Sequence, residues 1–246
     1  MPSSVSEVRG LSSPRRPSRI MLVTFVSTLA AMSLAAVAAL RTTTSVAVPC
    51  GNSYSVTSWM ALCWTAAHWV GGPDTYPGQT ATNDCATVQW GSIDVTSTTI
   101  QIAGLTVTST GLTSEVIIGN GGALNVIGDG VISGLSPQAR VGIDTGGAMT
   151  ISSGSQTIGA NGTMMVNGGT VATVATGGLV VGNNGRLTVG VQGSGVNPGT
   201  VTSSNNGIKV AAGGAAQVWA GTLNGVGTWT VGELAPATPS SLSIGY

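Results

Sequence analysis

Two short glycine-bearing marks recur along this chain at nearly one interval, and that interval constrains the fold more than any other feature. Asn-Gly pairs fall at Asn161-Gly162, Asn184-Gly185 and Asn206-Gly207, at nearly equal steps of about 22 residues. Gly-Gly units open at 121, 146, 168 and 213, and the last gap is read as two such intervals. A repeat this short is a unit that buries its apolar face only by stacking on its neighbours.

The unit itself is read from the residues that follow the glycines. Apolar side chains stand two apart at Leu124/Val126, Met149/Ile151, Leu179/Val181, Leu187/Val189 and Ile208/Val210, which is strand periodicity with both side chains on one face. Successive pairs, such as those opening at Leu179 and Leu187 or at Ile208 and Ala216, share one shorter spacing, about a third of the interval. Three strand-plus-turn segments therefore fill one interval. The expected fold is all-β: a right-handed parallel β-helix of about 22 residues per coil, its coils occupying residues 99–232. Composition agrees, because Val, Ile and Thr abound while only 7% of the residues are charged.

At coil corners the backbone often needs φ > 0, which Gly supplies freely and Asn tolerates. Asn161, Asn184 and Asn206 are thus expected at matching corners of successive coils, where their amides can form a ladder. The alternative is that Asn-Gly marks ordinary hairpin turns of an antiparallel sheet. Asn161-Gly162-Thr163 is also a glycosylation sequon, usable if Asn161 is exposed in a eukaryotic host.

The segment 1–47 reads as an address. Ile20–Leu40 carries no charge and follows Arg9, Arg15, Arg16 and Arg19. A basic segment before an apolar run is a secretory signal, and this run is also long enough to span a bilayer as a signal anchor. Both readings place the rest of the chain outside the membrane, secreted or anchored at the cell surface. Beyond residue 42 only Arg140, Arg186 and Lys209 stand against seven acids, so this part of the chain is net acidic. No basic patch remains for a phosphate backbone, so nucleic acid is excluded as a partner.

Residues 48–98 differ in kind. They hold four of the six Trp and all three cysteines, Cys50, Cys63 and Cys85, without the repeat. The segment is expected to cap the open first coil, with one disulfide formed among the three cysteines in an oxidising compartment. Residues 233–246 form a Pro/Ser-rich tail. No catalytic, metal-binding or cofactor-binding set stands out. His68 is the lone histidine, and Asp129 lacks the calcium-binding repeat. Asp94 and Glu115, close to one interval apart, read as a stacked pair of solvated acids rather than as catalytic machinery.

The stretches CWTAAHWVGGPDTYPGQTATNDCATV (63–88) and IQIAGLTVTSTGLTSEVIIGNGGALNVIGDGVISG (100–134) resemble the start of parallel β-helix surface proteins, including autotransporter passenger-like adhesins. The GGAL and GGAM units also resemble those of polymorphic outer-membrane proteins, without the partner Phe-x-x-Asn motif. The resemblance implies a structural or adhesive role, with an extracellular glycan or a cell-surface protein as partner. It carries over no catalytic residue. A β-helix polysaccharide lyase or hydrolase, and a fragment of a larger surface protein, are the alternatives.

Overall fold

The computed structural model describes residues 48–57, 61–135, 138–191, 197–203, 207–225, 230–231 and 241–244. The apolar run 20–40 and Asn206 lie outside them. Among the described residues no helix is long and apolar enough to cross a membrane.

The chain winds as a parallel β-solenoid of about five turns with about 24 residues in each. Its strands stack into three faces, all by parallel pairing. Face A holds β1 (Ser53–Thr57), the first half of β3 (Cys85–Thr96), β5 (Gly104–Ser109), β8 (Gly130–Gly134), β11 (Ser155–Ile158), β14 (Gly178–Val181), β17 (Ile208–Val210) and β20 (Thr230–Val231). Face B holds β2 (Leu62–Cys63), the second half of β3, β6 (Ser114–Gly119), β9 (Ala139–Asp144), β12 (Gly162–Asn167), β15 (Arg186–Val189), β18 (Ala215–Val218) and β21 (Ser241–Ile244). Face C holds β4 (Thr99–Ile102), β7 (Ala123–Val126), β10 (Ala148–Ile151), β13 (Thr170–Thr173), β16 (Gly199–Ser203) and β19 (Gly221–Gly225).

The residues two apart form the core. Leu124 lies across from Ile100 on one side and Met149 on the other, and all three are buried. On face B, Val116/Ile118, Val141/Ile143, Met164/Val166 and Leu187/Val189 repeat the arrangement. Each such side chain contributes about 1.5–3 kcal/mol by leaving water. Stacking like upon like also lets β-branched rotamers recur from turn to turn. A polar residue interrupts the apolar stack. Gln156 is fully buried on the inward row of face A, and neither of its amide atoms has a hydrogen-bond partner among the described residues. It lies across from Gly130, where any side chain would run into its Oε1.

The Gly-Gly units at 121, 146 and 168 mark the corner between faces B and C. Gly121, Gly146 and Gly168 adopt φ of 77°, 79° and 80° there, one turn apart. The glycines after the first two of these, Gly122 and Gly147, pass so close to the preceding turn that a Cβ would strike the carbonyls of Val95 and Ile118.

The register corrects the sequence reading in the second half. Ala215 pairs with Arg186, so the Gly-Gly at 213 opens face B and not face C. Ile208 pairs with Leu179, so the strand after Asn206 belongs to face A, whereas those after Asn161 and Asn184 belong to face B. Turn length is the reason. The turn from Thr163 to Arg186 matches the interval of the sequence marks, but the turn from Arg186 to Ala215 is longer. Because this turn is longer by most of one strand-plus-turn length, one ordinary interval in the sequence falls one face short.

At the N-terminal end, parallel stacking begins at Ser53, within the segment expected to be the cap. A disulfide joins Cys50 to Cys85, and Cys63 is free and exposed. Trp64 is fully buried and donates its indole N–H to the Pro77 carbonyl at 3.1 Å, while Trp69 donates to the Trp64 carbonyl at 2.8 Å. Asp84, also fully buried, accepts from Asn52 Nδ2 at 2.9 Å and from the Gly78 amide at 3.1 Å. These residues tie loop 71–84 to the first turn. Trp64 is therefore a packing residue, unavailable to a ligand.

Candidate functional site

Because side chains alternate along a strand, face B turns every second residue outward, and the parallel register lines those residues up in rows. The first row runs Ser92, Glu115, Arg140, Thr163, Arg186, Ala215. The second runs Asp94, Ile117, Gly142, Met165, Thr188, Gln217. The third includes Thr96, Gly119, Asp144 and Asn167, and reaches Gly190 and Trp219 just past the ends of β15 and β18. Where glycine takes an outward position the surface is hollow, and two clefts open on this face.

The first cleft, of about 370 Å³, is lined by Asp94, Thr96, Ile117, Gly119, Asn120, Asp144, Thr145 and Asn167. Burial holds the Asp94 carboxyl above its ordinary pKa, the charge of Asp144 pushes it further the same way, and the Ser92 hydroxyl opposes both. Asp94 Oδ1 and Asn167 Oδ1 are buried atoms without partners among the described residues. The cleft thus offers acceptor oxygens and one carboxyl biased toward its protonated form. Among the described residues no group of three or more His, Cys, Asp or Glu is placed to hold a metal ion.

The Asp94/Glu115 pairing read from the sequence is not the one the register makes. Glu115 lies across from Ser92 and Asp94 across from Ile117. Glu115 instead pairs with Arg140, Nε to Oε1 at 3.1 Å, one turn on. The acid that acts on Asp94 is Asp144, two turns away across the hollow at Gly119. The interval between Asp94 and Glu115 places both on one face, but it falls two positions short of the turn that ends at Ile117.

The second cleft, of about 470 Å³, lies farther along the same face, with Arg186, Thr188, Gln217 and Trp219 among its lining residues. Sequence reasoning missed this groove. Arg186 and Trp219 lie more than a full turn apart along the chain, and only the register shows that both belong to face B.

The remaining sequence candidates fall elsewhere. Asn161 and Asn184 sit at one corner on successive turns, with φ of 55° and 54°. Their amides form no Asn-to-Asn bond among the described residues: Asn161 Nδ2 donates to the Gly134 carbonyl at 3.1 Å, and the backbone N–H of Asn184 donates to the Gly213 carbonyl at 2.9 Å. Asn161 is exposed, whereas the sequon's Thr163 is 5% exposed and donates its hydroxyl to Gln138 Oε1. Asp129 Oδ1 accepts from the Ser155 amide at 2.8 Å and so braces a corner. His68 is exposed in the N-terminal segment.

No protein-family model matches the chain, and no curated relative is found. A solved structure to which the chain shows some similarity is that of a TibC-catalyzed hyper-glycosylated TibA fragment. It is 14% identical over 77% of this chain and 94% of that one, with a TM-score of 0.12. A likeness that loose carries no argument about fold or function.

Proposed function

We propose that this chain is an exported β-solenoid, secreted or anchored through its 20–40 segment, with a structural and adhesive role at the cell surface. The observation that carries the reading is face B, a rigid outward ladder of polar side chains broken by two open clefts. Such a face presents a large binding surface at little ordering cost, because the strands between its first and last are already held on both sides. The Cys50–Cys85 disulfide suits an oxidising compartment. The partner is an extracellular glycan or a cell-surface protein.

The test is saturable binding of the labelled exported protein to cell surfaces and extracellular matrix. Substitutions at outward positions of face B (Thr188→Glu with Gln217→Glu) should abolish binding, while outward substitutions on face C (Thr150→Glu with Ala172→Glu) should not. Absence of saturable binding, or equal loss from both faces, would overturn the reading.

One observation favours a second reading. Asp94 and Asp144 line one cleft, and the Asp94 carboxyl is shifted toward its acid form, as in glycosidases that hold one carboxyl protonated and another ionised. Release of reducing ends from a polysaccharide, lost in both Asp94→Asn and Asp144→Asn, would establish it.

A further inference from the structure

We propose that the second cleft of face B binds an acidic oligosaccharide, with a sugar carboxylate on Arg186 and a pyranose ring against Trp219. This rests on the adhesive reading above and names the ligand class for it.

Charge comes first. Among the described cations, Arg140 is tied to Glu115 and Lys209 lies on face A, across from Val180. Arg186 is exposed, makes no ion pair among the described residues, and lines a cleft that contains no acid. A guanidinium presents a planar fork of donors that fits a carboxylate in two parallel bonds. Of the described acids of this face, Asp94 and Asp144 line the other cleft and Glu115 is paired with Arg140. An anionic chain is thereby drawn to one end of the face and repelled from the other.

The platform comes second. Trp219 follows β18, and its backbone N–H is fixed to the Val189 carbonyl at 2.9 Å. The neighbouring position on the previous turn is Gly190, which has no side chain and lies against the backbone of Ala220, so the two turns pack closely beside the indole. An indole lining the cleft offers a flat apolar surface with few rotors to freeze, which suits the apolar face of a sugar ring. Between the two anchors lie Thr188 and Gln217, whose hydroxyl and amide can exchange hydrogen bonds with sugar hydroxyls.

Spacing comes third. The run from Arg186 to Gly190 follows one strand direction and covers about 13 Å at the strand rise. That separates the cation from the indole by roughly two or three sugar rings, so an oligosaccharide rather than a single sugar spans both. A peptide strand is disfavoured, because β15 is already paired on both sides by β12 and β18 and has no edge to extend. A repeating polyuronate would gain further by engaging several copies of the protein on one surface.

The test is calorimetric titration of the exported protein with an oligogalacturonate and with a neutral galacto-oligosaccharide of equal length. The uronate should bind, and the neutral sugar should bind about ten-fold more weakly or not at all. Arg186→Gln should reduce uronate affinity about ten-fold and leave the neutral sugar unchanged, with Arg186→Lys in between. Trp219→Ala should weaken both, Trp219→Phe should recover part of the loss, and Thr150→Ala on the outward side of face C should change neither. Equal affinity for the two sugars, no uronate binding, or an Arg186→Gln variant that binds uronate normally would overturn the proposal. Retained cell-surface adhesion without uronate binding would sink this inference alone, whereas loss of all surface binding would sink the adhesive reading with it.

Discussion

Asn161 and Asn184 stand at the same corner of successive turns, and both backbones are left-handed, with φ of 55° and 54°. The corner precedes β12 and β15, the strands that carry Thr163, Met165, Arg186 and Thr188 onto the outward side of face B. The two asparagines therefore set where those strands begin.

Replacing Asn184 tests that role. Asn184→Leu places a branched side chain at φ > 0 and should cost about 1–3 kcal/mol, whereas Asn184→Gly should be nearly neutral. Denaturant midpoints of the two variants check this. Equal destabilisation would show that the side chain's contacts matter more than the backbone conformation.

The disulfide ties the N-terminal segment across a sequence separation of 35. In the chain-entropy account, closing such a loop is worth about 3–4 kcal/mol. Cys50→Ala with Cys85→Ala should lower thermal stability accordingly and expose loop 71–84 to proteolysis first, since each turn of a solenoid leans mainly on its neighbours. Mass spectrometry of limited digests reads the order of cleavage. A first cut within the central turns would contradict the assignment of this segment as the stabilising end.

Asp94 gives the fold a pH dependence of definite sign. Its native carboxyl holds a proton more tightly than the ordinary value of 3.8 allows, so its contribution to stability is fully present below that value and is lost as pH rises through the raised native one. Asp94→Asn should remove the fall, giving no gain in acid below the ordinary value and its full gain above the raised native one. Asp144→Asn should remove a smaller part, because burial is the larger cause and the neighbouring charge the lesser. Stability curves of wild type and both variants against pH measure this, and a gain independent of pH would contradict it.

What the sequence made legible follows from which features are local. Val and Leu two apart, with glycine at the turns, specify strands and corners residue by residue. Pairs such as those at Leu179 and Leu187 lie where their short spacing puts them, on adjoining faces A and B. Register over a whole turn is not local. The first turns are of nearly even length, so Gly121, Gly146 and Gly168 align as their spacing suggests. Past Gly190 the longer turn shifts the register by about one face, and the strands that follow the marks at 206 and 213 lie on faces A and B. The clefts were hidden for the same reason. Asp94 meets Asp144 rather than Glu115, and Arg186 comes near Trp219, only through offsets that a single assumed period misplaces.

Export is the premise on which the surface role depends, and Cys63 offers a direct probe of it, being free and exposed. Intact host cells and their medium would be treated with a membrane-impermeant maleimide before lysis, with Cys63→Ser as the control. The account predicts labelling of the wild-type protein, and not of Cys63→Ser, on intact cells or in the medium. Labelling that occurs only after the cells are broken open would contradict it.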